Sequence, residues 1–143
     1  VTHDIDDAAA LATHLIALKD GRVAAQGRFI DASRAPEFQS LLDPADMGTA
    51  LPASTLRSSH GGRSLWLRAD QVLLAAEEPR AVSARNVLAG EVSAVVCESE
   101  QSRLVELATR NGVVLSRVTP EAVRDLGLAP GKKAWALVKA HAV

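Results

Sequence analysis

Apolar residues recur at helical spacing through Ile5, Ala8, Ala9, Ala12 and Leu15, three or four positions apart, which is the repeat of one helix face. Asp4 stands ahead of this run as a natural N-cap, with Asp6 and Asp7 in a first turn that favours negative charge, so the spacing predicts a helix over 5–14. The period then changes. Residues 15–18 and 22–26 flank Asp20-Gly21, and Asp-Gly between two apolar runs predicts a tight hairpin. From Gly27 to Gly62 the periodicity weakens: residues 36–42 have room for one or two helical turns, while Asp43-Pro44, Pro52 and residues 58–62 read as loop. The division expected is residues 1–30, a linker or irregular stretch 31–62, and a second domain 63–143.

Regularity returns with short strands at 64–68 and 71–75, separated by Ala69-Asp70 and ended by Glu77-Glu78-Pro79. The last sixty residues predict strands over 87–97, 103–109, 113–118 and 132–141, with Asn111-Gly112 as a hairpin turn. Between the last two strands, Thr119 is placed to cap a helix whose first residue is Pro120, and Gly127 to close it. Strands, one short helix and a final strand describe a mainly β fold, a small OB-like barrel.

Composition narrows the chemistry. Of 143 residues, 48% are hydrophobic and 23% charged, aromatics make up 3% and Tyr is absent, so the core has to be aliphatic. Sixteen basic residues against seventeen acidic ones give a net charge of -1, which supplies no overall field for a polyanion; any anion site must be local. The single cysteine, Cys97, excludes an internal disulfide and reads as a small hydrophobe within a strand. His14, His60 and His141 lack metal-ligand spacing, so no metal site is expected, and no apolar run reaches the ~18 residues of a membrane span.

Two sets of motifs carry a resemblance. Ser83-Ala84-Arg85-Asn86-Val87-Leu88-Ala89-Gly90, then Val118-Thr119-Pro120, Leu126-Gly127-Leu128-Ala129-Pro130-Gly131 and Val138-Lys139-Ala140 resemble the landmarks of the Mop (molbindin, TOBE-type) oxyanion-binding barrel over residues 83–143. Val1-Thr2-His3-Asp4, Ala8 to Ala12 and Lys19-Asp20-Gly21-Arg22-Val23 look like the last segment of an ABC-transporter ATPase, with His3 as that family's switch histidine. Together they resemble the C-terminal part of the ATP-binding subunit of molybdate ABC importers. The resemblance implies a helix–hairpin remnant of the ATPase domain followed by a regulatory barrel. A chain that starts at Val inside what would be a catalytic domain is expected to be a truncated or processed piece.

Molybdate and tungstate are doubly charged tetrahedral oxyanions, held by convergent N–H donors, hydroxyls and cationic side chains. The resemblance assigns that role to Ser83, Arg85, Asn86, Thr119, Ala122, Lys139 and Ala140. Each has a plainer alternative: Ser83–Asn86 as a polar turn, Thr119 as an ordinary helix cap, and Lys139, on a strand face with Trp135 and Leu137, as a lysine reaching to solvent. Relatives often carry a serine at the position of Ala122, and loss of that donor weakens a hydrogen bond to a charged group worth ~1 to 3 kcal/mol. Residues 43–65 look short for the first half of this region in the importer family, and exposed sheet edges there would be covered by a second copy.

The leading expectation is a regulatory module that binds molybdate or tungstate and forms a homodimer or larger self-assembly; the alternative is a structural dimerisation domain without an oxyanion site. A nucleic-acid barrel would need stacking aromatics and a basic groove, whereas Trp66 and Trp135 are the only large aromatics near the strands. The chain has no Gly-x-x-x-x-Gly-Lys-Ser/Thr loop, so His3 is a remnant, no catalytic residue is assigned, and ATP and its hydrolysis belong to the intact parent. In that parent the resemblance implies a membrane permease as partner and a cytoplasmic location on the inner face of the membrane.

Overall fold

The computed structural model describes residues 1–56 and 63–139. Helix α1 spans Ile5–Leu11, and the Asp4 carboxylate accepts from the backbone N–H groups of Asp6 and Asp7. It stops short of His14, because Ala12 is extended and His14 opens strand β1 (His14–Lys19). β1 pairs antiparallel with β2 (Arg22–Arg28) through Asp20 (φ 52°) and Gly21 (φ 75°), the two left-handed residues of a type I′ hairpin turn.

The stretch expected to be irregular is more ordered. It holds the single turns α2 (Phe29–Ala32) and α3 (Pro36–Gln39), a 3-10 turn at Pro44–Asp46, and a strand, β3 (Gly48–Pro52), paired antiparallel with β4 (Ser64–Arg68). Both strands are largely buried and each faces two ways. Ala50 and Trp66 lie directly opposite each other and join Ala9, Ala17, Phe29 and Phe38 in one apolar cluster; the Phe38 and Trp66 rings meet edge-on, centroids 6.2 Å apart. Leu51, Leu65 and Leu67 point the other way, into a larger cluster with Val92, Val105, Leu107, Val114 and Val138. The barrel core thus draws on Leu51 and Leu56, upstream of residue 63.

That larger core lies against a five-stranded antiparallel sheet of order β5-β9-β6-β7-β8, with β5 at Leu73–Ala75, β6 at Asn86–Ser99, β7 at Ser102–Thr109, β8 at Gly112–Val118 and β9 at Lys133–Val138. Bulges between Val92 and Ala94 and between Cys97 and Ser99 interrupt β6. Such bulges bend a strand and increase its twist, and the sheet curls into a half-barrel. The Ser116 hydroxyl of β8 donates to the Val72 carbonyl ahead of β5 at 2.7 Å, linking the two outer strands of the curl. Gly90 lies where β6 passes closest to β7: a Cβ there would stand 2.5 Å from the Ala108 carbonyl oxygen. Cys97 is in β6 as expected but is exposed, near the end of the strand beside the second bulge. Helix α4 (Pro120–Leu126) has Thr119 as N-cap and ends on a left-handed Gly127 (φ 63°).

Two arginines tie these parts together. Arg117 of β8 donates to both carboxylate oxygens of Glu98 (2.9 and 3.1 Å), to Asp70 (2.9 Å) and to the Pro44 carbonyl (2.9 Å). Arg68 of β4 grips both carboxylate oxygens of Asp6 (3.0 and 2.8 Å) and donates from Nε to Asp46 (3.2 Å). Hydrogen bonding from Arg117 holds the Glu98 carboxyl below its ordinary value; partial burial opposes this and the Ser102 hydroxyl adds to it.

Two outcomes follow from this packing. Leu67→Ala, which empties a fully buried position of the larger cluster, is expected to cost ~2 to 5 kcal/mol, read as a lower urea midpoint. Unfolding should remain a single transition, because β3 and β4 belong to both clusters. For Glu98, a depressed folded value means that its contribution is complete above the ordinary glutamate value of about 4.3 and disappears as pH falls through the lower folded value. Glu98→Gln should therefore lower stability at pH 6 and much less at pH 3 in paired denaturant melts.

Candidate oxyanion site

The β6–β9 ladder decides which candidate residues meet. Asn86 pairs with Val138, Val87 with Leu137 and Ala89 with Trp135. Strand alternation turns Asn86, Leu88 and Val138 toward the core, and Asn86 is 5% exposed. Val87, Ala89, Trp135 and Leu137 take the outer face. Arg85 and Lys139 sit one position beyond the Asn86–Val138 pair, both exposed. Arg85 lies in a bend and Lys139 just past the end of β9, so the two flank the same end of the β6–β9 ladder without being paired in it.

Like charges held near each other repel. Among the described residues neither Arg85 nor Lys139 forms an ion pair, whereas Arg68 and Arg117 each have two acidic partners. Among the described residues, two cations without an acidic partner therefore lie at this strand end, with the buried Asn86 beside them on the core side of the sheet. Ser83 is exposed in the loop between β5 and β6, three residues before the strand. Ala140, expected to contribute through its backbone, lies outside the described residues, as do His60 and His141.

Thr119 and Ala122 are elsewhere on the sheet. Val118 pairs with Arg103 of β7, and Arg103 with Cys97 of β6, eleven positions further along β6 than Asn86. That is on the order of 35 Å of strand path. The ladder thus groups Arg85, Asn86 and Lys139 and pairs none of them with the end of β8 that leads into Thr119, although the Ser116–Val72 bond brings β8 round to the start of β5, the neighbour of β9. The Thr119 hydroxyl accepts from the Ala122 N–H at 3.1 Å, so this pair caps the seven-residue α4. His3 is exposed just ahead of the Asp4 cap.

Sequence reasoning did not single out Arg117, although it stands two residues before Thr119. Nothing local marks it, because its partners are 19, 47 and 73 positions away in the chain. Arg68 is equally silent, 62 positions from Asp6.

Comparison with known proteins agrees with this architecture. Residues 82–143 match the TOBE domain family. The molybdenum import ATP-binding protein ModC of Rhizobium etli is 27% identical over 165 aligned positions, which take in all of this chain and 46% of that protein. ModC of Brucella abortus is 32% identical over 164 positions, again across the whole chain and 45% of the relative. The chain thus spans about half the length of the curated relatives it matches. Among solved structures, the cytoplasmic molybdate-binding protein ModG with molybdate bound superposes with a TM-score of 0.51 at 35% identity, covering 57% of this chain and 60% of that one. Residues 82–143 match the TOBE domain family, and along its whole length the chain is similar to ATP-binding proteins of molybdenum import.

Proposed function

We propose that this chain is a regulatory region of a molybdenum-import ATPase, which binds molybdate or tungstate in its barrel and associates with a second copy of itself. The observation that carries the reading is that Arg85 and Lys139, neither with an acidic partner among the described residues, flank the Asn86–Val138 end of the ladder, in a fold shared with a structure that has molybdate bound. In this reading Arg85 and Lys139 supply charge, Ser83 supplies a polar contact, the backbone at Ala140 adds a donor, and the buried Asn86 fixes the strand end that carries them. Molybdate and tungstate share charge and shape and suit the same residues.

That the strand ladder pairs neither Arg85 nor Lys139 with the segment leading into Thr119 supports self-association. A second copy would bring its own Thr119 and Ala122 to this strand end of the first, completing a set that the ladder of one copy does not join. ATP hydrolysis, contact with a membrane permease and a position on the inner face of the membrane belong to the whole importer subunit. Occupancy of the barrel would then act on transport as a coupling between two distinct sites. A second reading, a dimerisation domain with no oxyanion site, is favoured by one feature: Ala122 has no hydroxyl, and the N–H at that position is already taken by the Thr119 cap.

Calorimetric titration of the purified chain with molybdate, against sulfate at equal ionic strength, separates the two readings. Selective heat from molybdate is expected; a folded protein that gives none leaves only the dimerisation role. Lys139→Ala should weaken molybdate binding by ~10- to 100-fold, the effect of one lost hydrogen bond to a charged group, and leave the thermal midpoint nearly unchanged because the side chain is exposed.

A further inference from the structure

The 3-10 turn Pro44–Asp46 is held from both sides by side chains of two different sheets. From β8, Arg117 donates to the Pro44 carbonyl at 2.9 Å. From β4, Trp66 Nε1 donates to the Asp46 carbonyl at 2.7 Å, and Arg68 Nε donates to the Asp46 carboxylate at 3.2 Å. The backbone is held as well, with the Ala69 N–H donating to the Met47 carbonyl at 2.8 Å. Beyond the turn, the other edge of the Arg68 guanidinium closes on both oxygens of Asp6, in the first turn of α1. At the far end of α1, the Arg63 N–H, one residue ahead of β4, donates to the Ala10 carbonyl at 3.0 Å, so β4 and the residue before it hold the helix at both ends.

We infer that Arg117, the turn Pro44–Asp46 and Arg68 form a mechanical link that couples the end of β8 to helix α1, so that a shift at either end is felt at the other. An isolated surface ion pair contributes little. Here the side chains of Arg117 and Glu98 are only 18% and 22% exposed, and each arginine engages more than one element, so displacing one group unseats several bonds at once. Glu98 of β6 and Asp70 beside β5 fix the guanidinium of Arg117 from the barrel side. The link thereby gives the segment that follows His3 a physical route to the barrel. It stands whether or not an oxyanion is the ligand.

Amide hydrogen exchange on the whole chain without ligand tests the link. The reporters are Ala8 and Ala12, whose N–H groups donate to Asp4 and Ala8 carbonyls at 3.1 and 2.8 Å. Arg117→Gln, remote from α1, should speed their exchange by about fivefold, the size of one ordinary net hydrogen bond acting on local opening. The control Arg124→Gln, an exposed α4 arginine outside the network, should leave them unchanged. Faster exchange near Pro44–Asp46 with α1 unaffected overturns the proposal, since the effect then stops at the turn. If Arg117→Gln loosens the entire chain, Asp6→Asn reads the link from the other end: faster exchange at Asp46 and Val118 sustains it, and unchanged exchange there overturns it. Molybdate binding is measured separately, so failure of the oxyanion reading leaves this result interpretable.

Discussion

The structure depends on one two-stranded element that is buried on both faces. Strands β3 and β4 send Ala50 and Trp66 to one side and Leu51, Leu65 and Leu67 to the other. The period of two in a strand divides these side chains between two clusters with no residue to spare. A slip of one position in the β3–β4 register would turn Trp66 into the aliphatic cluster and Leu67 toward Phe38. The helix–hairpin part and the barrel are therefore not independently folded pieces on a string. They share a wall, and the Arg68 and Arg117 contacts at its margin make that wall a route for force as well as a surface for packing.

The barrel follows the same logic. A fourteen-residue β6 pairs with β9 along its first half and with β7 along its second, and two bulges let it turn between them. Gly90 sits at that handover, where a side chain would strike the β7 backbone. One strand thus sets both the curl and the place of the two cations: starting β6 at Asn86 and ending β9 at Val138 leaves Arg85 and Lys139 at the same end of the ladder. Like charges held near each other repel, and an anion between them would relieve that repulsion, which is the proposed role of this end of the barrel.

The legible parts of the sequence were those with local physical causes. Asp4 and Thr119 announce their helices because a capping oxygen must precede the first free N–H groups, and Asp20-Gly21 announces its hairpin because only such residues accept two left-handed conformations in succession. Strands β6 to β8 appeared within one residue or two of their observed ends. Strand β3 did not, since Gly48-Thr49-Ala50-Leu51-Pro52 is buried on both faces and so shows no alternation, and it is flanked by Gly and Pro that read as loop. The cation corner was partly legible: Arg85, Asn86 and Lys139 stand in recognisable motifs, but only the register shows that they share one end of the ladder and that none of them pairs with the segment leading into Thr119. Arg68 and Arg117 were invisible because their partners lie far off in the chain.

The central claim is that a tetrahedral dianion occupies the corner formed by Arg85, Asn86 and Lys139. Anomalous diffraction from crystals grown with tungstate tests it most directly, since tungsten locates the ion without reference to any assumed site. The account predicts a single strong peak per chain within hydrogen-bonding distance of Arg85 and Lys139, with Thr119 of a second copy on its other side. A peak at a different part of the barrel, or none in crystals of a protein saturated with tungstate, would contradict it.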